Sequence, residues 1–132
     1  MKSLVKIFVI AFFATVGCIT IQNFSNQLTP SVAAASRLKK GKTYHVKATG
    51  YDAVRLGGRT ASGYFVNSKK KKVIAVDPRV IKLGSKVKVN GYGTAIAADT
   101  GGLIKGRRID LNMSTTKAIR FGYQTVKVTV VK

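Results

Sequence analysis

Apolar and polar residues alternate along several stretches of the chain, with a period of two that is typical of half-buried β-strands. Residues 42–49 (KTYHVKAT) place Tyr44, Val46 and Ala48 on one face and the residues between them on the other. Residues 124–132 (QTVKVTVVK) repeat this alternation at the end of the sequence. Both segments are therefore predicted to be strands.

Four shorter strands are predicted between these two. The segment KVIAVDP (72–78) is a short apolar run that its proline ends, and RRIDLNM (107–113) is another short strand. The segment KVKVNGYGTAIAAD (86–99) has two apolar-rich halves around Asn-Gly. Because this dipeptide tolerates positive φ, it is a strong signal for a β-hairpin.

One segment, STTKAIRFG (114–122), predicts a helix. Ser114 is suited to cap the free N–H groups at its start, and Gly122 is suited to the left-handed turn at its end. About six short strands, one short helix and many glycine turns predict a mainly β fold, a small six-stranded barrel.

The first 35 residues have the layout of a secretory signal peptide. Two lysines precede an apolar run (7–21), and small residues lead to an expected cleavage site after Ala35. The run is short for a membrane span, which needs about 20 apolar residues. We expect a secreted protein without stable membrane insertion, made of a basic arm (36–43) and one domain (44–132). Retention of the segment as an anchor is the alternative.

The chain is strongly basic, with 24 Lys and Arg side chains against four acidic ones, all aspartates. Removing the two lysines of the signal segment from a net charge of +20 leaves +18. Such a field attracts anionic polymers, and those of the cell wall are the expected partners of an exported protein. No nucleic-acid partner is expected, because base-stacking aromatic side chains are sparse. Cys18 leaves with the signal, which excludes a disulfide and thiol chemistry.

Two of the four aspartates flank one glycine-rich loop, in IAADTGGLIKGRRID (96–110). Asp99-Thr100-Gly101 matches the tripeptide of aspartic proteases, and a chain of this size would have to dimerise to pair two carboxylates. The glycine-arginine turn of such proteases should lie much farther along the chain, which argues against this interpretation. The many cations oppose a metal ion, so no metal or other cofactor is expected.

Residues 73–111, VIAVDPRVIKLGSKVKVNGYGTAIAADTGGLIKGRRIDL, taken as one block resemble the 3D domain. This family is named for three aspartates and occurs in bacterial wall-lytic proteins. They include stationary-phase survival muralytic enzymes and the C-terminal part of membrane-bound lytic transglycosylase A. The resemblance extends over about residues 44–130 and implies a double-psi β-barrel.

The resemblance also implies site residues. The three family aspartates fall on Asp77, Asp99 and Asp110, which are the expected catalytic residues. Asp110 is the expected acid and base, Asp99 would orient the sugar or hold the proton on Asp110, and Asp77 would support them. Asp52 lies outside the motif and is expected to be dispensable. The expected substrate contacts lie in the RTASG and glycine-rich loops: Thr60, Gly101, Gly102 and Lys105.

The implied reaction is cleavage of the MurNAc–GlcNAc bond of peptidoglycan during wall turnover. In a lytic transglycosylase the muramoyl C6 hydroxyl attacks its own anomeric carbon and leaves a 1,6-anhydro sugar. One carboxyl group then acts as acid and afterwards as base, whereas an ordinary glycosidase needs two. The alternative function is a non-catalytic, expansin-like wall-binding module. The alternative role for the aspartates is to cap turns of the barrel. The sequence leaves open the oligomeric state and the choice between anhydro and reducing products.

Overall fold

A computed structural model describes residues 36–69 and 71–132, and every structural statement below concerns these residues. The predicted signal peptide, residues 1–35, lies outside them. In the described part of the chain, no helix is both long enough and apolar enough to cross a membrane.

Six strands and one helix form where the sequence pattern predicts them. They are β1 (Thr43–Tyr51), β2 (Val73–Ala75), β3 (Lys86–Val89), β4 (Gly93–Asp99), β5 (Arg108–Asn112), α1 (Thr115–Phe121) and β6 (Gln124–Val130). The predicted mainly β fold with one short helix is confirmed.

The strands close into a barrel in the order β1-β5-β2-β4-β3-β6. Two neighbouring pairs, β1 with β5 and β2 with β4, run parallel, and the other pairs run antiparallel. Parallel neighbours require long crossover connections, so successive hairpins alone do not produce this order. The predicted Asn-Gly hairpin joins β3 to β4, and Gly91 in its turn has a φ of 75°.

The inside of the barrel is filled by alternate residues of the strands, mostly small or β-branched. Burial of a Val, Ile or Leu side chain contributes about 1.5–3 kcal/mol, so this core is the main source of stability. It includes Val46, Ala48, Ile74, Val76, Val87, Val89, Ala97, Ile109, Leu111 and Val128. The residues between these point outwards, and they carry the chemistry.

The predicted basic arm (36–43) is joined to the barrel. Leu38 is buried, and its N–H donates to the Val80 carbonyl (2.9 Å). The Gly41 N–H donates to the Val130 carbonyl (2.9 Å). The arm therefore contributes an apolar anchor as well as its charges.

Helix α1 begins and ends as predicted. The Ser114 hydroxyl accepts from the Lys117 N–H (3.4 Å), and Gly122, with φ 63°, donates its N–H to the Ala118 carbonyl (3.0 Å). The helix lies directly on β1, where a Cβ added to Gly50 would come 3.0 Å from the Ala118 Cα. Only glycine allows this approach.

The connection from β1 to β2 folds over part of the outside of the barrel. It forms a second small apolar cluster, in which Ala53 and Val66 pack with Val73 and Ala98. A Cβ on Gly58 would lie 2.5 Å from the Val66 carbonyl oxygen, so this connection closes tightly on itself. One stretch of the outer face is thereby shielded from water.

Candidate active site

Two of the three motif aspartates lie in one row across the outside of the barrel. Asp110 on β5 pairs in register with Ala75 on β2, and Ala75 pairs in register with Asp99 on β4. Residues opposite each other in neighbouring strands point to the same face, so the two carboxylates share a face. Their Cα atoms are two strand spacings apart, about 9.5 Å. Only the methyl group of Ala75 stands between them in this row.

Local structure explains why both aspartates point outwards. Ile109 and Leu111, on either side of Asp110, are buried in the core, so Asp110 has the opposite orientation. Between β2 and β4 the register shifts, because Ile74 pairs with Ala97 but Ala75 pairs with Asp99. Such a bulge re-aims a side chain, and here it brings Asp99 into the row.

Both oxygens of Asp99 accept hydrogen bonds. The Tyr51 hydroxyl donates to Oδ2 (3.0 Å), and the N–H groups of Ala61 and Thr100 donate to Oδ1 (3.0 and 2.9 Å). Asp99 is thus held in one orientation by three donors from three segments of the chain.

Asp110 is less completely paired. Its Oδ1 is buried and has no hydrogen-bond partner among the described residues. Burial raises the pKa of the Asp110 carboxyl above its ordinary value, and the negative charge of Asp99 raises it further. A hydrogen bond from Thr49, its neighbour on β1, and the positive charge of Arg108 lower the pKa but do not cancel the rise. This carboxyl is therefore the one best suited to carry a proton.

Tyr51 is a site residue that the sequence interpretation missed, because it ended the first strand at Thr49. The strand continues for two more residues, so Tyr51 stands on the same face as Thr49. Burial raises the pKa of the Tyr51 hydroxyl, and the charge of Asp99 adds to this rise. The hydroxyl therefore remains a donor, and its aromatic ring packs against the second apolar cluster. No local pattern marks this continuation, because Gly50 and Tyr51 do not continue the alternation of apolar and polar residues.

Asp77, the third motif aspartate, has different partners. Its Oδ2 accepts from Arg79 Nη2 (2.7 Å) and the Gly106 N–H (2.8 Å), and its Oδ1 accepts from Arg79 Nε (3.0 Å). Asp77 is 2% exposed, and hydrogen bonding to Arg79 holds the pKa of its carboxyl well below the ordinary value. Asp77 thereby fastens the glycine-rich loop at Gly106. The supporting role expected of Asp77 in the site stays a prediction, and these contacts would provide it through the loop.

Thr60, a predicted substrate contact, lies in a loop that touches the site. The next residue, Ala61, donates to Asp99 as described, and the Ser62 N–H donates to the Ala98 carbonyl (3.0 Å). Thr60 itself is 5% exposed, and its hydroxyl donates to the Tyr64 carbonyl (2.8 Å). The structure gives the Thr60 side chain a role in shaping the loop.

The other predicted contacts differ in accessibility. A Cβ on Gly101 would lie 2.9 Å from the Ile104 side chain, so this glycine is required by packing. Gly102 has open space where a Cβ would be, and Lys105 is exposed. Gly102 and Lys105 are therefore accessible to a polymer that approaches this loop.

Residues 72–132 match the family model of the 3D domain. This segment of the chain belongs to the 3D domain family. The match contains Asp77, Asp99 and Asp110, whereas β1 with Tyr51 and the loop with Thr60 precede it.

Two relatives of the chain come from Bacillus subtilis. The cell wall-binding protein YocH is 53% identical over 93 residues, which cover 67% of this chain and 32% of YocH. YabE, whose name assigns it to cell wall shaping, is 48% identical over 104 residues, covering 76% of this chain and 26% of YabE. The chain thus spans about a quarter to a third of the length of these relatives.

Among solved structures, the Streptomyces papain inhibitor is similar to the chain with a TM-score of 0.54 and 17% sequence identity. The likeness covers 72% of this chain and 99% of the inhibitor. At this identity it shows the fold alone, which is the double-psi β-barrel expected for a 3D domain.

Asp52, expected to be dispensable, is a buried residue that supports the 3D domain. Its Oδ2 accepts from the Thr115 N–H (3.1 Å) and hydroxyl (3.0 Å) and contacts Lys69 Nζ (3.3 Å), and its Oδ1 accepts from the Arg55 N–H (3.2 Å). Burial raises the pKa of this carboxyl, but these donors lower it more, so it ends below the ordinary value. Asp52 joins the start of α1 to the end of β1, which no local sequence pattern reveals.

A groove of about 790 Å³ lies beside α1, and neither Asp99 nor Asp110 lines it. Its walls carry four cationic side chains and three apolar or aromatic ones, and no carboxylate. These are Lys69, Lys72, Lys117 and Arg120, with Tyr92, Met113 and Phe121. The groove is therefore suited to a polyanion and is separate from the aspartate row.

Proposed function

We propose that this 3D domain cleaves the MurNAc–GlcNAc bond of peptidoglycan as a lytic transglycosylase, with Asp110 as the acid and base. The observation that carries the proposal is the buried, unpartnered Oδ1 of Asp110 in a carboxyl group whose pKa is raised. The membership of the 3D family and the names of YocH and YabE support the cell wall as the place of action.

The other aspartates are poorly suited to donate a proton. Asp99 accepts three hydrogen bonds through its two oxygens, and Asp77 is paired with a guanidinium group. Asp110 alone combines a raised pKa with an oxygen that lacks a donor. This difference between the carboxyl groups of one site supports the roles proposed for them.

In the proposed reaction, Asp110 gives its proton to the glycosidic oxygen while the bond from that oxygen to the muramoyl C1 breaks. The C6 hydroxyl of the same sugar then forms a bond to C1, and the Asp110 carboxylate takes the hydroxyl proton. The reaction consumes no water, and at its end Asp110 is protonated again. Asp99, held by Tyr51, contributes a fixed negative charge near the developing positive charge at C1.

The second candidate function is binding of anionic wall polymers without cleavage, and the cationic groove beside α1 favours it. The side chains of Lys117 and Arg120 have no hydrogen-bond or ion-pair partner among the described residues, so their charges are available to phosphate groups. This function and cleavage are compatible, because the groove and the aspartate row use different residues.

We further propose export through the signal peptide 1–35, with Ser36 as the mature terminus and the cell wall as the location.

The test is digestion of purified peptidoglycan followed by mass analysis of the soluble muropeptides. We expect products that are lighter by one water than hydrolysis products, because an anhydro ring forms. Asp110→Asn keeps the side-chain size but removes the acid, and a positioned general acid contributes about 10²–10⁴-fold in rate. Release should fall by that factor, whereas Asp99→Asn keeps the acid and should lose less.

Wall binding and circular dichroism of both variants serve as controls for folding. Undiminished release by folded Asp110→Asn would refute its role. If the wild-type protein releases no muropeptides from any wall, cleavage is refuted and the binding function takes its place.

A further inference from the structure

A pair of cations lies next to the aspartate row on the same outer face. Lys47 on β1 pairs in register with Arg108 on β5. This pair lies two residues along the strands from the pair of Thr49 with Asp110. Like charges directly opposite each other in a sheet are destabilising. The pair contributes nothing to core packing, because its side chains point outwards. An anion between them would remove this repulsion.

Both cations lie over one aromatic ring. Lys47 Nζ is 5.6 Å and the Arg108 guanidinium carbon 5.5 Å from the centre of the Tyr123 ring. Tyr123 is 60% exposed, and Lys47 Nζ also donates to the Thr125 hydroxyl (2.8 Å). We call Lys47, Arg108 and Tyr123 the Tyr123 cluster. The ring orients the two cations while leaving the cluster open to solvent.

Arg108 is incompletely paired. Its Nε is buried, and it has no hydrogen-bond partner among the described residues. A buried donor without an acceptor is costly, and native structures rarely keep one without a reason. Arg108 and Asp110 lie two residues apart on β5 and point to the same face, so their Cα atoms are about 7 Å apart. Buried polar atoms without partners thus occur twice on this face, one a donor and one an acceptor.

We propose that the Tyr123 cluster binds a carboxylate carried by the muramoyl sugar whose bond is cut. A guanidinium group binds carboxylates through paired N–H donors, and Lys47 adds a second charge. The inference rests on the proposed cleavage, because that reaction puts the muramoyl ring at Asp110. A phosphodiester at C6 is disfavoured as the anion, since the reaction needs a free C6 hydroxyl. The carboxylate belongs either to the lactyl group of a stem-free glycan or to the peptide stem.

The test measures binding separately from cleavage, in the Asp110→Asn background. The probes are glycan strands with intact peptide stems, the same strands with all carboxylates amidated, and stem-free strands with free lactyl carboxylates. The test variants are Arg108→Gln and Lys47→Gln. The control variants are Arg107→Gln and Lys88→Gln, because the Arg107 guanidinium lies over the Tyr44 ring and Lys88 is exposed on β3. Each variant removes one positive charge.

We expect Arg108→Gln to weaken binding of a carboxylate-bearing strand on the order of tenfold or more, because a charge-assisted hydrogen bond is lost. Binding of amidated strands should be unchanged, and the two control variants should lose much less on every probe. The probe that shows the loss identifies the lactyl or the stem carboxylate. An equal loss on amidated strands, or an equal loss in Arg107→Gln, would overturn the proposal.

The result is distinguishable from failure of the proposed cleavage. Suppose that binding depends on the carboxylates of the strand, but that the protein with Asp110 intact releases no muropeptides. Cleavage would then be refuted, and the subsite would remain. Release of muropeptides at the same rate from free and amidated wall, by both wild type and Arg108→Gln, would keep cleavage and refute the subsite.

Discussion

Replacing Tyr51 with phenylalanine removes a single hydroxyl group that donates to Asp99 Oδ2 at 3.0 Å. The ring remains, so the second apolar cluster keeps its packing and no cavity forms. A hydrogen bond to a charged group contributes about 1.5–3 kcal/mol. Asp99 is half-buried and keeps its two donors at Oδ1, so water replaces part of the lost bond. We therefore expect the lower end, a loss of about 1.5 kcal/mol in the free energy of unfolding.

This loss has two measurable consequences. For a domain of this size it corresponds to a fall in Tm of roughly 6–12 °C. If the same interaction orients Asp99 in the transition state, muropeptide release should fall about tenfold. The matched control is Tyr64→Phe, which removes the same atom from a tyrosine whose hydroxyl has no partner among the described residues. Equal Tm values and equal rates for the two variants would refute the role given to Tyr51.

Three further results are expected. Asp52→Asn should lower the Tm, measured by thermal unfolding, because the four contacts of the Asp52 carboxylate, two with Thr115 and one each with Arg55 and Lys69, are weakened. Asp77 has a depressed pKa in the folded state, so the stability it contributes with Arg79 is complete above about pH 4 and is lost as the pH falls below that value. Urea unfolding across this range should show a shallower acid decline in Asp77→Asn than in wild type. Binding to isolated wall should weaken steeply with added salt, because many screened contacts carry it, and binding that ignores ionic strength would contradict the charge argument.

The sequence predicted the elements of the barrel well because each one carries a local signal. Alternation marked β1 and β6, Asn-Gly marked the β3–β4 hairpin, and Ser114 with Gly122 marked the ends of α1. Local patterns cannot predict which strands become neighbours. The parallel pairing of β1 with β5 depends on the packing of the whole core, and it decides that Thr49 lies beside Asp110.

The same limit explains the site residues that were missed or revised. Tyr51 and Asp99 are 48 positions apart, and Asp52 and Thr115 are 63 apart, so neither contact has a sequence signature. Asp77 is different, because Arg79 lies only two positions further on. The Arg79 N–H donates to Asp77 Oδ1 (3.0 Å), which is the local turn that aspartate favours, so this pairing was accessible to sequence reasoning.

The closed barrel also has a consequence for when the candidate site forms. The strand that carries Thr49 and Tyr51 is held on one side by β5 and on the other by β6, the last strand of the chain. Barrels dominated by such distant pairings have a high contact order and fold slowly, on the scale of milliseconds to seconds. A chain that has not yet folded therefore has no assembled aspartate row during this interval. Removal of β6 should abolish the row without touching any of its residues, so folding itself controls when the site exists.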